Sequence, residues 1–216
     1  MKLNIKIPTS LSEITLRQYK KFLQIQDQVK DPRFLNAKMI EIFCNVSLKD
    51  VMLLRLSDSA EIVKILSQMF DQKPPLVHHF KLNKVEYGFH PELDTLTLGE
   101  YIDLDTYVGD WDNMEKAMNV LYRPVVVKLK NRYNIEEYRL GTDAVLLDMP
   151  MDAVMSSIFF LWSLGLDLSK NMTNYLDKEE KEVLTQFLSS QGNGVGINQF
   201  MDSLKGTLHD LKISLN

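Results

Sequence analysis

Residues 151–168, MDAVMSSIFFLWSLGLDL, decide the fold because they combine a helical period with apolar side chains all around the helix. One side carries an apolar stripe formed by Met151, Val154, Met155, Ile158, Phe159 and Trp162. The opposite side is apolar too, through Phe160, Leu161 and Leu164. A helix that is apolar on every side is normally buried. This one is predicted to lie at the centre of the core or against another subunit.

The same segment is too interrupted to cross a membrane. Three serines lie within it and an aspartate bounds it at each end, at Asp152 and Asp167. A spanning helix needs roughly 18 uninterrupted apolar residues. We therefore predict a buried helix and no membrane partner.

Upstream of this helix, residues 10–73 are predicted to form an all-helical unit. Residues 10–13 (SLSE) and 47–50 (SLKD) have the spacing of helix N-terminal caps. Asp31-Pro32 separates two helices, and a further helix is predicted to begin at residues 58–59. Before this unit, the alternation from Leu3 to Ile7 predicts a short strand that Pro8 ends.

The hydrophobic period changes to 2 in residues 76–91, LVHHFKLNKVEYGFHP. Two short runs flank Asn83-Lys84, which predicts a β-hairpin. Residues 125–130 (VVVKLK) and 133–140 (YNIEEYRL) predict a second strand pair. Between the hairpins, Thr97 and Glu100 have capping-box spacing for one helix, and Asp110 is placed to cap the next.

These patterns divide the 216 residues into three segments. They are an N-terminal strand and helical unit (1–75), two β-hairpins flanking a helix pair (76–149) and a C-terminal helical unit (150–216). The last segment includes a further helix over 178–188 and an apolar tail. We predict a mainly α fold with small β-hairpins and only minor α+β content. The chain is expected to form one compact helical domain with an appendage.

Charge and cysteine content narrow the function classes. The 25 Lys and Arg against 29 Asp and Glu give a net charge of −4, which disfavours a dedicated nucleic-acid binder. The single cysteine, Cys44, lies in an apolar run, so core packing is predicted rather than a disulfide or a cysteine-based zinc site. The N-terminus, MKLNIKIPTS, is not typical of a signal peptide, which predicts a reducing cytoplasm.

The strongest candidate for chemistry is the acidic stretch 99–113, GEYIDLDTYVGDWDN. An EF-hand loop starting at Asp103 would need a glutamate at its twelfth position, where the chain has Met114. Helical spacing instead places Glu100 and Asp103 on a solvent-facing side, with Tyr101, Leu104 and Val108 on the core-facing side. Asp110 and Asp112 fall at the next helix start, where negative charge is favoured. No catalytic residue, metal ligand or cofactor is therefore predicted.

Three other motifs have both a functional and a structural interpretation. GNGVG (192–196) suggests phosphate binding, but a helix precedes it and a nucleotide fingerprint needs a strand there. His78 and His79 are adjacent, so on a strand they point to opposite faces and cannot ligate one metal. Alternating cations beside tyrosines can meet phosphates, form a solvated strand face, or belong to an extended loop that meets a neighbouring protein. The residues of this cluster are Lys128, Lys130, Arg132, Tyr133, Tyr138 and Arg139.

Three segments carry a family resemblance: IPTSLSEITLRQYKKF (7–22), GEYIDLDTYVGDWDNMEKAMNVLYRPV (99–125) and MPMDAVMSSIFFLWSLGLDL (149–168). They resemble small tail- or neck-region virion proteins of tailed bacteriophages, most nearly the crAss-like podoviruses of gut Bacteroidetes. The likeness spans most of the chain. It consists of conformational and packing patterns, so no functional residue carries over from it.

The resemblance implies a non-enzymatic virion protein, assembled in the host cytoplasm and used in many copies, for example in a ring below the portal. Its partners would be copies of itself and other virion proteins such as portal, tail or neighbouring ring proteins. Specific nucleic-acid binding is not implied, although passing DNA would be close. Two alternatives remain open: a transient tail-assembly chaperone, and a small phage enzyme using residues 100–112.

Aromatic and aliphatic side chains dominate the binding energy of protein interfaces. Each anchor candidate in this chain has core packing as its alternative. The candidate interface residues are Trp111, Phe159, Phe160, Trp162, Leu211 and Ile213.

Overall fold

The computed structural model describes residues 5–130 and 132–175, with the side chains of the last helix described to Asp167. Within these residues the fold is mostly helical with a small four-stranded antiparallel sheet, which confirms the predicted fold class. The α-helices are α1 (Leu16–Gln28), α2 (Pro32–Phe43), α3 (Leu48–Val51), α4 (Leu56–Phe70), α5 (Leu98–Tyr107), α6 (Met114–Leu121) and α7 (Met151–Tyr175). Short 3-10 helices cover Leu11–Glu13, Leu93–Thr95, Trp111–Asn113 and Asp143–Asp148. The strands are β1 (His79–Leu82), β2 (Val85–Phe89), β3 (Tyr122–Leu129) and β4 (Arg132–Ile135).

The first half of α7 lies in the core, as its apolar surface predicts. From Met151 to Ile158 only Asp152 is not fully buried, and the small Ala153 and the two serines let other elements approach closely. Ser157 satisfies its hydroxyl by donating to the Val154 carbonyl at 2.8 Å. Buried residues from all three predicted segments form one hydrophobic cluster around this helix.

A backbone clamp joins the start of α1 to the start of α7. The amide of Leu16 donates to the Met149 carbonyl at 3.0 Å, and the amide of Met151 donates to the Ile14 carbonyl at 2.8 Å. Beside it, Arg17 makes two hydrogen bonds to Asp148, at 2.7 and 3.1 Å. The clamp therefore fixes the N-terminal helices against the central helix.

The N-terminal predictions need two corrections. Residues 5–8 form no strand, since no described neighbouring strand offers them a ladder of hydrogen bonds; Leu3 lies outside the described residues. Ser10 does not cap a helix, because Glu13 accepts from the Thr9 amide and hydroxyl instead. The capping box that forms is the one between Thr15 and Gln18, at the start of α1.

Two helix boundaries also differ from the predicted ones. Ser47 caps α3 as predicted, but α3 ends at Val51 rather than near Leu56. The helix predicted to begin at residues 58–59 begins at Leu56, with Arg55 as an N-cap that makes no side-chain hydrogen bond. The burial of Ile62, Leu66 and Met69 therefore sets the position of α4 more strongly than its cap does.

Both predicted hairpins are confirmed, and they share one sheet of order β1-β2-β3-β4. Asn83 and Lys84 have φ values of 50° and 70°, the left-handed conformation of a two-residue hairpin turn. The sequence did not predict the pairing of β2 with β3, which places Gly88 beside Arg123 and Phe89 beside Tyr122. One side of this sheet carries an aromatic cluster, and Phe89 of this cluster contacts Phe160 of α7. The members on the sheet are Phe80, Tyr87, Phe89 and Tyr122.

The second hairpin extends past the rest of the sheet. Strand β2 pairs only with residues 122–124 of β3, and the β3–β4 pairing continues through a bulge between Val125 and Val127. We call residues 125–135 the arm; its residue 131 is not among the described residues. Beyond residue 124 the arm is thus a two-stranded ribbon in its hydrogen bonding, but one of its faces lies against the sheet, where Lys128 reaches Glu86 of β2.

Gly88 is needed where the Tyr133 ring crosses β2. A Cβ atom at Gly88 would lie 2.7 Å from Cε2 of Tyr133 and 3.0 Å from Cγ2 of Val125. The ring cannot retreat freely, because the Tyr133 hydroxyl donates to the Phe89 carbonyl at 2.6 Å.

We therefore expect Gly88→Ala to lower the free energy of unfolding by about 1–3 kcal/mol through overpacking. Denaturant unfolding of the full chain measures this change. Gly99→Ala is the matched control, since a Cβ there meets nothing within 4 Å and the site is helical. Equal stability of the two variants would contradict the close approach.

Candidate functional site

An open groove of about 1520 Å³ lies between the end of β2, the strand β4 and the middle of α7. Its walls combine apolar and charged side chains, and two buried charged groups lie on its lining. Residues that define it include Leu76, Glu92, Asp94, Tyr133, Phe160 and Leu164.

The two buried charges are Arg123 and Glu100, which form an ion pair. The Nη1 atom of Arg123 donates to Oε1 of Glu100 at 2.8 Å. Arg123 is 6% exposed and Glu100 is 4% exposed. Removing one residue of such a pair leaves the other charge unpaired in a poorly solvated site. The two residues therefore stabilise the fold only as a pair.

Local sequence places each partner of this pair. Arg123 follows Tyr122 on β3, so it points to the sheet face opposite the aromatic cluster. Glu100 is the third residue of α5 in the predicted Thr97 capping box, which is confirmed. Its Oε2 atom accepts from the Thr97 amide at 2.8 Å and from the Thr97 hydroxyl at 2.7 Å. The carboxylate therefore joins the beginning of α5 to the sheet.

These contacts leave Glu100 ionised at neutral pH. Burial by itself would raise the pKa of this carboxyl, but the Thr97 hydrogen bonds and the Arg123 charge outweigh burial and lower the pKa. Burial also lowers the pKa of the Arg123 guanidinium, an effect that Glu100 opposes. Both oxygens of Glu100 already accept hydrogen bonds. Such a carboxylate is a poor general base, because its pKa is far from neutral and its lone pairs are engaged.

His90 lies beside the ion pair at the end of β2. Its backbone amide donates to the Leu121 carbonyl at 2.7 Å, and its ring atom Nδ1 accepts from the Glu92 amide at 3.3 Å. Burial, followed by the nearby Arg123 charge, lowers the pKa of His90. The ring is therefore neutral at pH 7, with its proton on Nε2. This histidine buttresses the turn after β2 and carries no charge into the groove.

The remaining acids of the 99–113 stretch are dispersed rather than gathered. Asp103 accepts from the Tyr138 hydroxyl at 2.7 Å. Asp110 accepts from the Asp112 amide at 2.9 Å and so caps the 3-10 helix Trp111–Asn113 rather than the predicted α6. Asp105 has a raised pKa through burial, and its Oδ1 atom has no hydrogen-bond partner among the described residues. The stretch thus supplies contacts in several directions and no shared pocket.

The predicted sides of the α5 segment are confirmed for Leu104 and Val108, which are buried, and wrong for Glu100 and Tyr101. Glu100 lies in the buried stripe, while Tyr101 is 41% exposed. The reason is Arg123, which gives a carboxylate a charged partner inside the protein. Amphipathic patterning assigns every carboxylate to solvent, because it contains no information on partners from other elements.

Within residues 5–130 and 132–175, no group of three or more histidine, cysteine, aspartate or glutamate side chains is placed to hold a metal ion. Over the same residues, none of the helices has the length and apolar character needed to span a bilayer. His79 packs edge-on against Tyr133, with ring centroids 4.4 Å apart.

The candidate interface residues occupy different environments. Trp111 is buried, and its ring lies 4.9 Å from that of Tyr19. Phe159, Phe160 and Trp162 are half-buried and pack against the core. Leu211 and Ile213 lie outside the described residues, as do GNGVG and the predicted helix over 178–188.

The arm exposes apolar side chains that the basic-cluster interpretation overlooked. Val126 is 61% exposed and Leu129 is 71% exposed, and Val127 is also exposed. Lys128 donates to Glu86 at 2.6 Å, whereas Lys130 and Arg132 form no ion pair within the described residues. The sequence does indicate these exposed apolar side chains, because VVVKLK contains more apolar residues than a strand with one solvated face needs.

Comparison of the chain with protein-family models, curated protein sequences and solved structures gave no match. A function for this chain therefore has to be inferred from the groove, the buried ion pair and the arm.

Proposed function

We propose that the chain is a non-enzymatic structural protein of a tailed-phage particle, a ring, neck or tail component that works by binding neighbouring subunits. The observation that supports this proposal is the arm, a two-stranded β-ribbon with three exposed apolar side chains. The sequence resemblance to tail- and neck-region virion proteins supplies the class of assembly.

The arm is better suited to binding a protein than to standing alone. Tyr133 packs one face of this two-stranded ribbon on Gly88, whereas Val127 and Leu129 lie exposed on the opposite face. A two-stranded ribbon gains stability when such a face is covered. Exposed Val126, Val127 and Leu129 leave apolar area in water, at a cost of roughly 25 cal/mol per Å² relative to burial. A partner that covers these side chains would stabilise both the ribbon and the complex.

The buried polar groups favour a scaffold role over catalysis. Glu100 is saturated by Thr97 and Arg123, and His90 accepts a backbone hydrogen bond. A general base needs a free lone pair within reach of the proton it abstracts. These groups instead hold α5, β2 and β3 in a fixed relation, which keeps the base of the arm rigid.

The proposal predicts that the chain is a stoichiometric part of purified phage particles. Quantitative mass spectrometry of particles, normalised to the portal protein, should find it in multiple copies per particle. Host cytosolic proteins in the same preparation are the control for carry-over. Absence from particles, together with capture by a virion protein in infected cells, would contradict the proposal and indicate the assembly chaperone.

A further inference from the structure

We infer that the arm of one copy docks in the groove of a second copy of this chain, in a head-to-tail contact. This inference rests on the proposed structural function and names its partner and its two surfaces. Arm and groove are different surfaces, so the contact is heterologous. Repeated around an axis, such a contact closes into a ring.

Charge on the arm is the first observation that carries the inference. Residues 125–135, VVVKLKNRYNI, contain three cations and no acid, in a chain of net charge −4. Lys128, near the turn of the arm, is engaged with Glu86 of β2. Lys130 and Arg132 are exposed and, within the described part of the chain, have no acidic partner. Two positive charges are thus available on the arm.

The groove has the opposite charge. Its lining includes four exposed carboxylates, and the buried Glu100 and Arg123 neutralise each other. Among the described residues that line it, Arg132 is the one further Lys or Arg, and it belongs to the arm. A concave surface of one sign attracts the complementary charge and orients its approach. The exposed carboxylates are Glu92, Asp94, Glu136 and Glu137.

Apolar surfaces also match. The groove presents Leu76, Phe160 and Leu164, the last of these 38% exposed. On the arm, Val127 and Leu129 pair with Asn134 and Arg132, which places both aliphatic side chains on one face. A docked arm can therefore bury aliphatic groups in the groove while its cations meet the acidic rim.

The occupant must come from another molecule. Residues 132–135 of the arm form one wall of the groove in their own copy. They pair with β3 across the ribbon, so the same arm cannot also fill the space that it borders. A second copy supplies an identical arm without rearranging this wall.

A charge-swap experiment tests the contact on the full chain. The arm variant is Lys130→Glu with Arg132→Glu, and the groove variant is Glu92→Lys with Asp94→Lys. Native mass spectrometry and light scattering over a concentration series report self-association. Lys21→Glu with Lys49→Glu, and Asp27→Lys with Asp71→Lys, are the matched controls, because these exposed residues lie outside arm and groove.

Each swap variant alone should self-associate at least about tenfold more weakly than the natural chain, since like charges then meet across the contact. An equimolar mixture of the two variants should assemble again. In the mixture the acidic arm meets the basic groove. The natural arm of the groove variant meets the groove of the arm variant, which keeps its four carboxylates and gains another at position 132. A chain carrying both swaps should also self-associate. The control variants should associate like the natural chain.

Several outcomes would overturn the contact. The first is self-association that persists in both swap variants. The second is self-association that is lost in the groove variant but kept in the arm variant. That result would assign the groove to a different occupant, such as the C-terminal segment of the same chain. A mixture that fails to reassemble although both variants retain native circular dichroism would refute the pairing of these two surfaces. Presence of the chain in particles would leave the proposed function standing in each case.

Discussion

Replacing Arg123 with alanine is expected to lower the free energy of unfolding by about 3–5 kcal/mol. The change removes the partner of a carboxylate that is 4% exposed, and Glu100 then stays ionised in a poorly solvated site or takes up a proton. Guanidinium unfolding followed by circular dichroism measures the change. Arg17→Ala is the matched control, because the Arg17–Asp148 pair is exposed and should contribute about 1 kcal/mol or less.

A double-mutant cycle separates the ion pair from the packing of each side chain. Arg123→Met keeps most of the aliphatic volume, and Glu100→Gln keeps the capping hydrogen bonds to Thr97. The double variant should be more stable than Arg123→Met alone, with a coupling energy of about 1 kcal/mol or more. Additive effects, or a loss in Arg123→Ala no larger than in Arg17→Ala, would contradict the role assigned to the pair.

Replacing Tyr122 with alanine is also expected to cost about 3–5 kcal/mol. Tyr122 is fully buried, and its ring contacts those of Phe80 and Phe89 at centroid distances of 5.2 and 5.3 Å. The substitution opens a cavity where the sheet meets α7. Tyr101→Ala removes the same atoms from a partly exposed site on α5 and should cost much less.

Tyr122→Phe isolates the hydroxyl group. This group donates to the Val77 carbonyl at 2.7 Å, and the Ala153 carbonyl lies 3.3 Å away. Its loss should cost about 1–3 kcal/mol, because buried carbonyl oxygen is left without its donor. Calorimetry or denaturant unfolding of the full chain measures both variants. A loss in Tyr122→Ala no greater than in Tyr101→Ala would show that Tyr122 does not hold the sheet to the central helix.

Local patterns predicted the helices and hairpins because their information lies within a few residues. Thr97 and Glu100 begin α5 and Asn83-Lys84 closes the first hairpin, both as predicted. Asp110 caps the 3-10 helix that leads into α6 rather than α6 itself. Ser10 shows the limit of such patterns. Its spacing to Glu13 fits a capping box, yet Thr9 binds that carboxylate and Thr15 caps the helix. Spacing alone does not predict which of several nearby side chains forms the capping hydrogen bonds.

Features that depend on distant residues were not predictable in the same way. The pairing of β2 with β3 joins residues separated by a helix pair, and it alone places Arg123 where Glu100 can reach it. Without that pairing, a carboxylate on an amphipathic helix is assigned to solvent. The groove follows from the same pairing, since its walls come from β4, α7 and the turn after β2. Local sequence patterns therefore did not predict that these residues come together in one site.

The sequence pattern also did not predict that the apolar side chains of the arm are exposed. VVVKLK predicts a strand but not that its pairing with β2 stops at Pro124, although β2 continues to Val85. Where the ladder between two strands stops is a tertiary feature, and it leaves Val126 and Leu129 exposed.

The clamp between residues 14–16 and 149–151 also sets a constraint on biosynthesis. Arg17 and its partner Asp148 are separated by 131 positions, and the backbone bonds beside them join equally distant parts of the chain. During translation the first helices leave the ribosome long before the residues that hold them. Their apolar faces therefore stay accessible to chaperones, or to one another, until residues 148–151 have emerged. The N-terminal helices thus reach their final packing only after these later residues are made, rather than in the order of synthesis.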